Sequence, residues 1–158
     1  MAMRLTSPAF AAGGRIPERF TCDGADLSPA LAWSGAPAAA RSFVIVCADP
    51  DAPAGTWYHW GVFDIPADQT SLAEGLAKAE KVGRLRQATN DFKKPGWGGP
   101  CPPKGHGVHR YRFRLLALSV ASLPLGPRPG CREVLAAAEP HIRSEERRVG
   151  KECLSSWW

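Results

Sequence analysis

Sixteen glycines and fifteen prolines punctuate 158 residues, and this density of helix breakers constrains the fold more than any other feature. In a helix interior glycine costs about 1 kcal/mol and proline about 3 kcal/mol relative to alanine, so short strands joined by turns and irregular loops are expected. The length and the 44% hydrophobic content suit one domain with a sizeable core. No linker, repeat or composition break divides residues 1–142.

The strand signals are strong. Residues 41–48, Arg-Ser-Phe-Val-Ile-Val-Cys-Ala, form a continuous β-branched run that reads as a central strand buried on both faces. In residues 56–65 a period of two puts Trp57, His59, Gly61, Phe63 and Ile65 on one face and Tyr58, Trp60, Val62 and Asp64 on the other. Residues 109–118 alternate in the same way, with His109, Tyr111, Phe113, Leu115 and Ala117 on one face. Helical signals are weaker. Residues 71–82 open with a capping-box pattern, Ser71 to Glu74, and residues 131–139 are rich in Ala, Leu and Glu before Pro140. Residues 13–40 and 93–108 read as long, ordered loops, and loops of that length usually have a task.

A net charge of +5 could suggest nucleic acid, but the basic residues are scattered and form no stripe, so no nucleic-acid partner is expected. The first residues carry no apolar leader and no later stretch approaches a membrane span, which makes the cytoplasm the default location. Cys22, Cys47, Cys101, Cys131 and Cys153 are odd in number and show no Cys-x-x-Cys pairing. Neither a disulfide framework nor a zinc ribbon is expected; buried or free thiols are.

The end of the chain differs in kind. Residues 143–153 are charged and unperiodic, and Trp157-Trp158 closes the chain without context. The string resembles a translated sequencing adapter, so residues 143–158 are set aside as a non-native tail and fold reasoning stops at Ile142.

Two carboxylates in Asp49-Pro50-Asp51-Ala52-Pro53 sit where the central strand exits into a proline-stiffened loop. The loop from Gly96 to His109 combines glycines, which let backbone N–H groups approach a ligand, with prolines that hold its shape. It lacks the spacing of a P-loop or dinucleotide fingerprint, so no nucleotide is expected. Taken singly, His59 and His109 read as satisfied core histidines. Together beside Asp49 they offer convergent N–H donors to an oxyanion, provided the second ring nitrogen of each is held by a carboxylate or carbonyl.

These residues resemble the phosphatidylethanolamine-binding proteins, in the bacterial branch called Raf-kinase-inhibitor-like. The resemblance covers about residues 4–142: Ile16-Pro17, Phe20-Thr21-Cys22-Asp23-Gly24, Ser28-Pro29, Leu31-Ala32-Trp33, Asp49-Pro50-Asp51-Ala52-Pro53, His59-Trp60, Asn90-Asp91-Phe92, Gly99-Pro100-Cys101-Pro102-Pro103 and His109-Arg110-Tyr111. It implies a mostly β fold (β-rich α+β): a central antiparallel sheet, a second small sheet, two or so short helices, and a surface pocket for a phosphate-like group, a phospholipid headgroup or a carboxylate. It implies no metal and no organic cofactor. Carried over by position, Asp49 and His59 flank the anion, His109 closes it from the facing strand, Gly99 and Pro100 shape the rim, and Tyr111 forms the wall. Asp51 and Pro53 support the loop, and Trp57 and Trp97 lie near the site. The family includes modulators of kinase pathways and inhibitors of other enzymes, so a regulatory or inhibitor role is implied, with the protein partner and homodimerisation left open. Members of this branch continue after the position of Ile142 into a closing segment that the charged tail replaces here. His106 is an additional imidazole expected to face water.

Two other readings compete. A hydrolase would use Asp49 or Asp51 to position His59 or His109 as general base for a water nucleophile, and no Gly-x-Ser-x-Gly nucleophile elbow is present. A metal site could draw on Asp49, Asp51, His59 and His109, which lack a recognised ligand motif. The anion pocket is the preferred reading, and no enzyme activity is expected.

Overall fold

In the computed structural model, residues 2–101 and 109–152 are described, the last two through their backbone alone. His106 and Cys153 therefore lie outside the described residues. Among the described residues nine strands, β1 (Arg4–Thr6), β2 (Leu31–Ser34), β3 (Ser42–Asp49), β4 (Trp57–Pro66), β5 (Ser71–Leu72), β6 (Lys81–Val82), β7 (Leu85–Gln87), β8 (His109–Leu118) and β9 (Ile142–Glu152), accompany one α-helix, α1 (Cys131–Ala138). They form a six-stranded sheet in the order β6-β7-β4-β3-β8-β9 and a three-stranded sheet in the order β1-β2-β5, and all the strand pairs are antiparallel.

The large sheet divides the apolar side chains into two cores. One, between the sheets, takes Phe43, Ile45 and Cys47 of β3 with Tyr111, Phe113, Leu115 and Ala117 of β8. The other, on the α1 side, takes Val44 and Val46 of β3 with Leu116, Leu118 and Val134. Strand β3 is buried along its whole length, as its unbroken apolar run required. The faces of β8 fall as alternation predicts.

Several expectations are corrected. Residues 71–82 are not a helix: Ser71–Leu72 pairs with Leu31 and Ala32 of β2, and Lys81–Val82 pairs with β7. Gly75 at φ 72° cannot continue a right-handed helix, Leu72 is drawn into the core between the sheets, and Glu74 closes no capping box but pairs with Arg19 at 3.0 Å. The second expected helix does form, at Cys131–Ala138. Residues 13–40 contain β2 and a 3-10 turn at Glu18–Phe20 besides irregular chain.

The cysteine reading is corrected as well. Cys22 and Cys101 form a disulfide, with Cα atoms 5.3 Å apart and a separation of 79 positions in sequence. No local spacing could announce it, because the two half-cystines meet only when the loop before β2 packs on the loop before β8. Cys47 and Cys131 are buried free thiols, as expected.

The segment set aside at the C-terminus takes part in the sheet. Residues 142–152 pair along the whole of β8, from Leu118↔Ile142 to His109↔Glu152. Its chemistry is uneven for that place. Residues directly opposite share a face, so Arg148 stands against Phe113 and Glu146 against Leu115 on the core side. The Arg148 guanidinium lies over the Phe10 ring and donates to the Phe10 carbonyl, while its buried Nε has no hydrogen-bond partner among the described residues.

Candidate functional site

The site grows out of an irregularity in β4. Cys47 pairs with Trp60 and Ala48 with Tyr58, so His59 is an extra residue in the ladder, a β-bulge. A second shift places both Phe63 and Asp64 opposite Val44, with Asp64 at φ 56°. The two shifts break the alternation expected for residues 56–65. Trp60, Val62 and Ile65 belong to the core between the sheets, Phe63 packs on the α1 side, and the His59 ring turns to Tyr111 on the inter-sheet face.

Beyond Gln87 no described strand pairs with the outer edge of β4, and residues 88–98 satisfy its backbone instead. Ala88 donates to the Gly61 carbonyl at 2.8 Å, Asp91 to the Tyr58 carbonyl at 2.9 Å and Gly98 to the His59 carbonyl at 2.9 Å. The Tyr58 N–H donates to the Asp91 carboxylate at 2.8 Å. The bulge and the glycine-rich loop are thereby built as one unit.

A cleft of about 250 Å³ opens here, lined by Asp49, Pro53, Trp57, His59, His109 and Tyr111. Phe92, Ala52 and Cys101 complete its wall. Asp49, His59, His109 and Tyr111 are each buried. His109 Nδ1 lies 2.7 Å from Asp49 Oδ2, and the other oxygen of Asp49 accepts the Asp51 N–H at 2.8 Å. His59 Nδ1 lies 2.5 Å from the Gly98 carbonyl oxygen. A carboxylate and a carbonyl can only accept, so in each ring Nδ1 carries the donated proton. The Tyr111 ring lies beside both imidazoles, with ring centroids 5.2 Å apart edge-on to His59 and 6.4 Å apart, nearly parallel, to His109. Burial holds the His59 pKa below its ordinary value, opposed by its bond to Gly98 and by the negative charges of Asp49 and Asp26.

Of the residues singled out in the sequence, Asp49, His59, His109 and Tyr111 come together around this cleft, with Pro53 and Trp57. Asp51 supports the loop from outside: its carboxylate takes the Arg110 backbone N–H at 2.8 Å and two guanidinium N–H groups of the same residue, which hold its pKa down. Gly99 lies elsewhere, on the wall of a neighbouring cleft, and Pro100 lines neither cleft, its carbonyl accepting from Cys22 N–H at 3.1 Å. Trp97 is core rather than rim of this cleft: its indole N–H donates to the Phe20 carbonyl at 3.0 Å and its ring stacks on Phe113. Ala52, Phe92 and Cys101 are the lining residues that sequence reasoning left out of the site. Phe92 sat inside the quoted Asn90-Asp91-Phe92 string, which was the available signal.

Among the described residues no cluster of three or more His, Cys, Asp or Glu side chains could hold a metal ion. No described helix is long and apolar enough to cross a membrane.

Two antiparallel sheets, with a histidine-lined cleft at the end of β3, β4 and β8 in the larger one, define a β-rich fold. The chain belongs to the phosphatidylethanolamine-binding protein family, whose model matches residues 6–151 and so runs through most of β9. A UPF0098 protein of Aquifex aeolicus is 43% identical over 94% of this chain and 86% of its own length. Among solved structures, that of Escherichia coli YbcL, described as a new member of the mammalian PEBP family, aligns with a TM-score of 0.92 at 29% identity and covers 98% of this chain and 100% of that one. A putative phosphatidylethanolamine-binding protein homologue, CT736 of Chlamydia trachomatis, aligns with a TM-score of 0.86 at 34% identity and covers 96% of this chain and 97% of its own.

Proposed function

We propose that the cleft binds a small anion, a phosphate-like group or a carboxylate, between the imidazoles of His59 and His109. The observation that carries this reading is that both Nδ1 atoms are spent on fixed acceptors, Gly98 O and Asp49 Oδ2. Each ring is thus locked in orientation, and its Nε2 becomes a donor only when the ring is protonated. Binding is therefore linked to a proton. Either His59 takes one up from solvent, or a ligand such as hydrogen phosphate supplies it.

The site is read as a binder and not as a covalent catalyst. Its one cysteine, Cys101, is tied in the disulfide, and no other described lining side chain is a thiol, an aliphatic hydroxyl or an amine. Occupancy is then a signal, read by a protein partner in a regulatory or inhibitor role. The second reading, a hydrolase, is favoured by the Asp49–His109 pair alone, which is the arrangement that orients a general base toward water.

The exposed Cys22–Cys101 bond bears on location. Disulfides persist in oxidising compartments and are rare in the cytosol, which favours such a compartment over the cytoplasm expected from the sequence.

The test is calorimetric titration of the oxidised protein with inorganic phosphate from pH 8 to pH 5.5, together with His59→Ala and His109→Ala. Affinity is expected to strengthen as pH falls through the histidine range, and both variants are expected to lose saturable binding. Affinity that ignores pH, or binding that survives in both variants, refutes the reading. Turnover of a phosphomonoester that is lost in His109→Ala would establish the hydrolase instead.

A further inference from the structure

A second cleft of about 330 Å³ adjoins the first, and the two share Phe92 and Cys101 as a common wall. We propose that it is a subsite for a second acidic group on the same ligand, so that the two clefts together select a molecule with an anion at each end of a short apolar spacer. This rests on the anion reading of the first cleft.

Size is the first argument. Ligand pockets ordinarily hold roughly 300–1,000 Å³. Each cleft alone lies below or near the bottom of that range, whereas a ligand occupying both falls well inside it.

Charge is the second. The second cleft is lined by Asp26, Lys78 and Lys94. The Asp26 carboxylate is already committed, one oxygen to the Gly99 N–H at 2.8 Å and the other to the Lys78 ammonium at 3.3 Å. Among the described residues no carboxylate lies within ion-pair distance of Lys94, which leaves the cleft one positive charge in excess. An acidic group would neutralise it. An ammonium, such as that of phosphoethanolamine, would be repelled.

The partition is built for a ligand to cross. Phe92 is the one large apolar side chain exposed among the described residues, at 39%, and it stands between the clefts. An ideal Cβ on residue 98 would come 2.5 Å from its ring, so glycine there is what lets the ring lie on the backbone that also fixes His59. Phe92 and Lys94 are presented by one turn. The side-chain Oδ1 of buried Asn90 accepts from Phe92 N–H at 2.9 Å and Lys94 N–H at 3.3 Å, and its Nδ2 donates to the Gly96 carbonyl at 2.9 Å. One cation is thus presented by the same hydrogen-bonded turn as the apolar sill.

The test uses matched phosphonates that differ only at the far end: propylphosphonate, 3-aminopropylphosphonate and a series of ω-phosphonocarboxylates of increasing chain length. They are titrated by calorimetry into the oxidised protein and into Lys94→Gln, which keeps the backbone bonds of the turn. At the best length the carboxylate-ended probe is expected to bind about fivefold tighter than propylphosphonate, with the amine-ended probe weakest, a gain of the size a partly exposed ion pair supplies. Lys94→Gln should erase that gain and leave propylphosphonate unchanged. Equal affinity for the carboxylate and amine ends, or a gain that survives in Lys94→Gln, overturns the subsite while the histidine cleft stands. Failure of every probe to bind overturns both readings.

Discussion

Reducing the Cys22–Cys101 bond, or replacing both residues with serine, opens a covalent loop whose ends are 79 residues apart. In the loop-closure model, a cross-link over ~80 residues removes roughly 15 cal/mol/K from the unfolded chain, about 4.5 kcal/mol at 25 °C. The native state should feel the change little. Cys22 N–H still reaches the Pro100 carbonyl, Gly99 N–H the Asp26 carboxylate and Trp97 the Phe20 carbonyl, so the same two loops stay joined. The loss therefore acts through the unfolded ensemble. Urea unfolding of oxidised, reduced and Cys22→Ser/Cys101→Ser protein measures it, followed by far-UV and near-UV circular dichroism. The expected loss is about 2–4.5 kcal/mol, with native near-UV signal retained before the transition. A loss below about 1 kcal/mol refutes the loop-closure reasoning. Collapse of the near-UV signal on reduction in the absence of urea would show instead that the bond shapes the native loops.

Three further outcomes are expected. An ideal Cβ at Gly150 would meet Ile16 Cγ1 at 2.6 Å, so Gly150→Ala should cost about 1–3 kcal/mol by overpacking, and an unchanged or raised melting temperature would show that β9 does not dock on the core there. The His59 pKa is depressed in the fold from its ordinary 6.5, so below about that pH the unfolded chain takes up a proton that the fold refuses. Its contribution to stability is complete above about pH 6.5 and is lost as pH falls toward the depressed value; His59→Gln should flatten the acid side of the urea-midpoint profile, and an unaltered profile refutes the assignment. Burial pushes the Cys131 thiol up to about 12 and Cys47 well above its usual range, so iodoacetamide at pH 8 should leave both unmodified in native oxidised protein, read by peptide mapping; labelling of either at the rate of the unfolded chain refutes it.

What could be read in advance followed how local the signal is. β3 and β8 were legible because burial on two faces and strict alternation are written in adjacent residues, and α1 because its apolar positions and the following proline are contiguous. The supposed helix at 71–82 failed because tertiary pairing of Leu72 under β2 outweighs a local capping pattern. Cys22–Cys101 and the strand at 142–152 were illegible for opposite reasons. The bond joins distant segments with no spacing rule, and the strand pairs through its backbone, while its side chains carry no apolar period at all. Of the site, Asp49, His59, His109 and Tyr111 were each identifiable as candidates, but the partners that fix the rings could not be assigned without the fold.

The position of His59 shows why. On β3, Cys47 faces the core between the sheets, Ala48 the α1 side and Asp49 the cleft, and residues directly opposite share a face. Had the ladder continued from Cys47↔Trp60 without interruption, Ala48 would oppose His59 and the imidazole would project toward α1, where Tyr58 now packs. One extra residue instead turns His59 back to the inter-sheet face. It also re-registers Trp57 opposite Asp49, which brings that indole onto the cleft wall. The bulge leaves the outer edge of β4 to a loop, and the Gly98 residue of that loop takes both the backbone carbonyl and the ring Nδ1 of His59. Glycine at 98 and the inserted histidine are therefore one structural decision: the bulge supplies the ring, and the glycine admits both the backbone contact that fixes its tautomer and the Phe92 ring that walls the cleft.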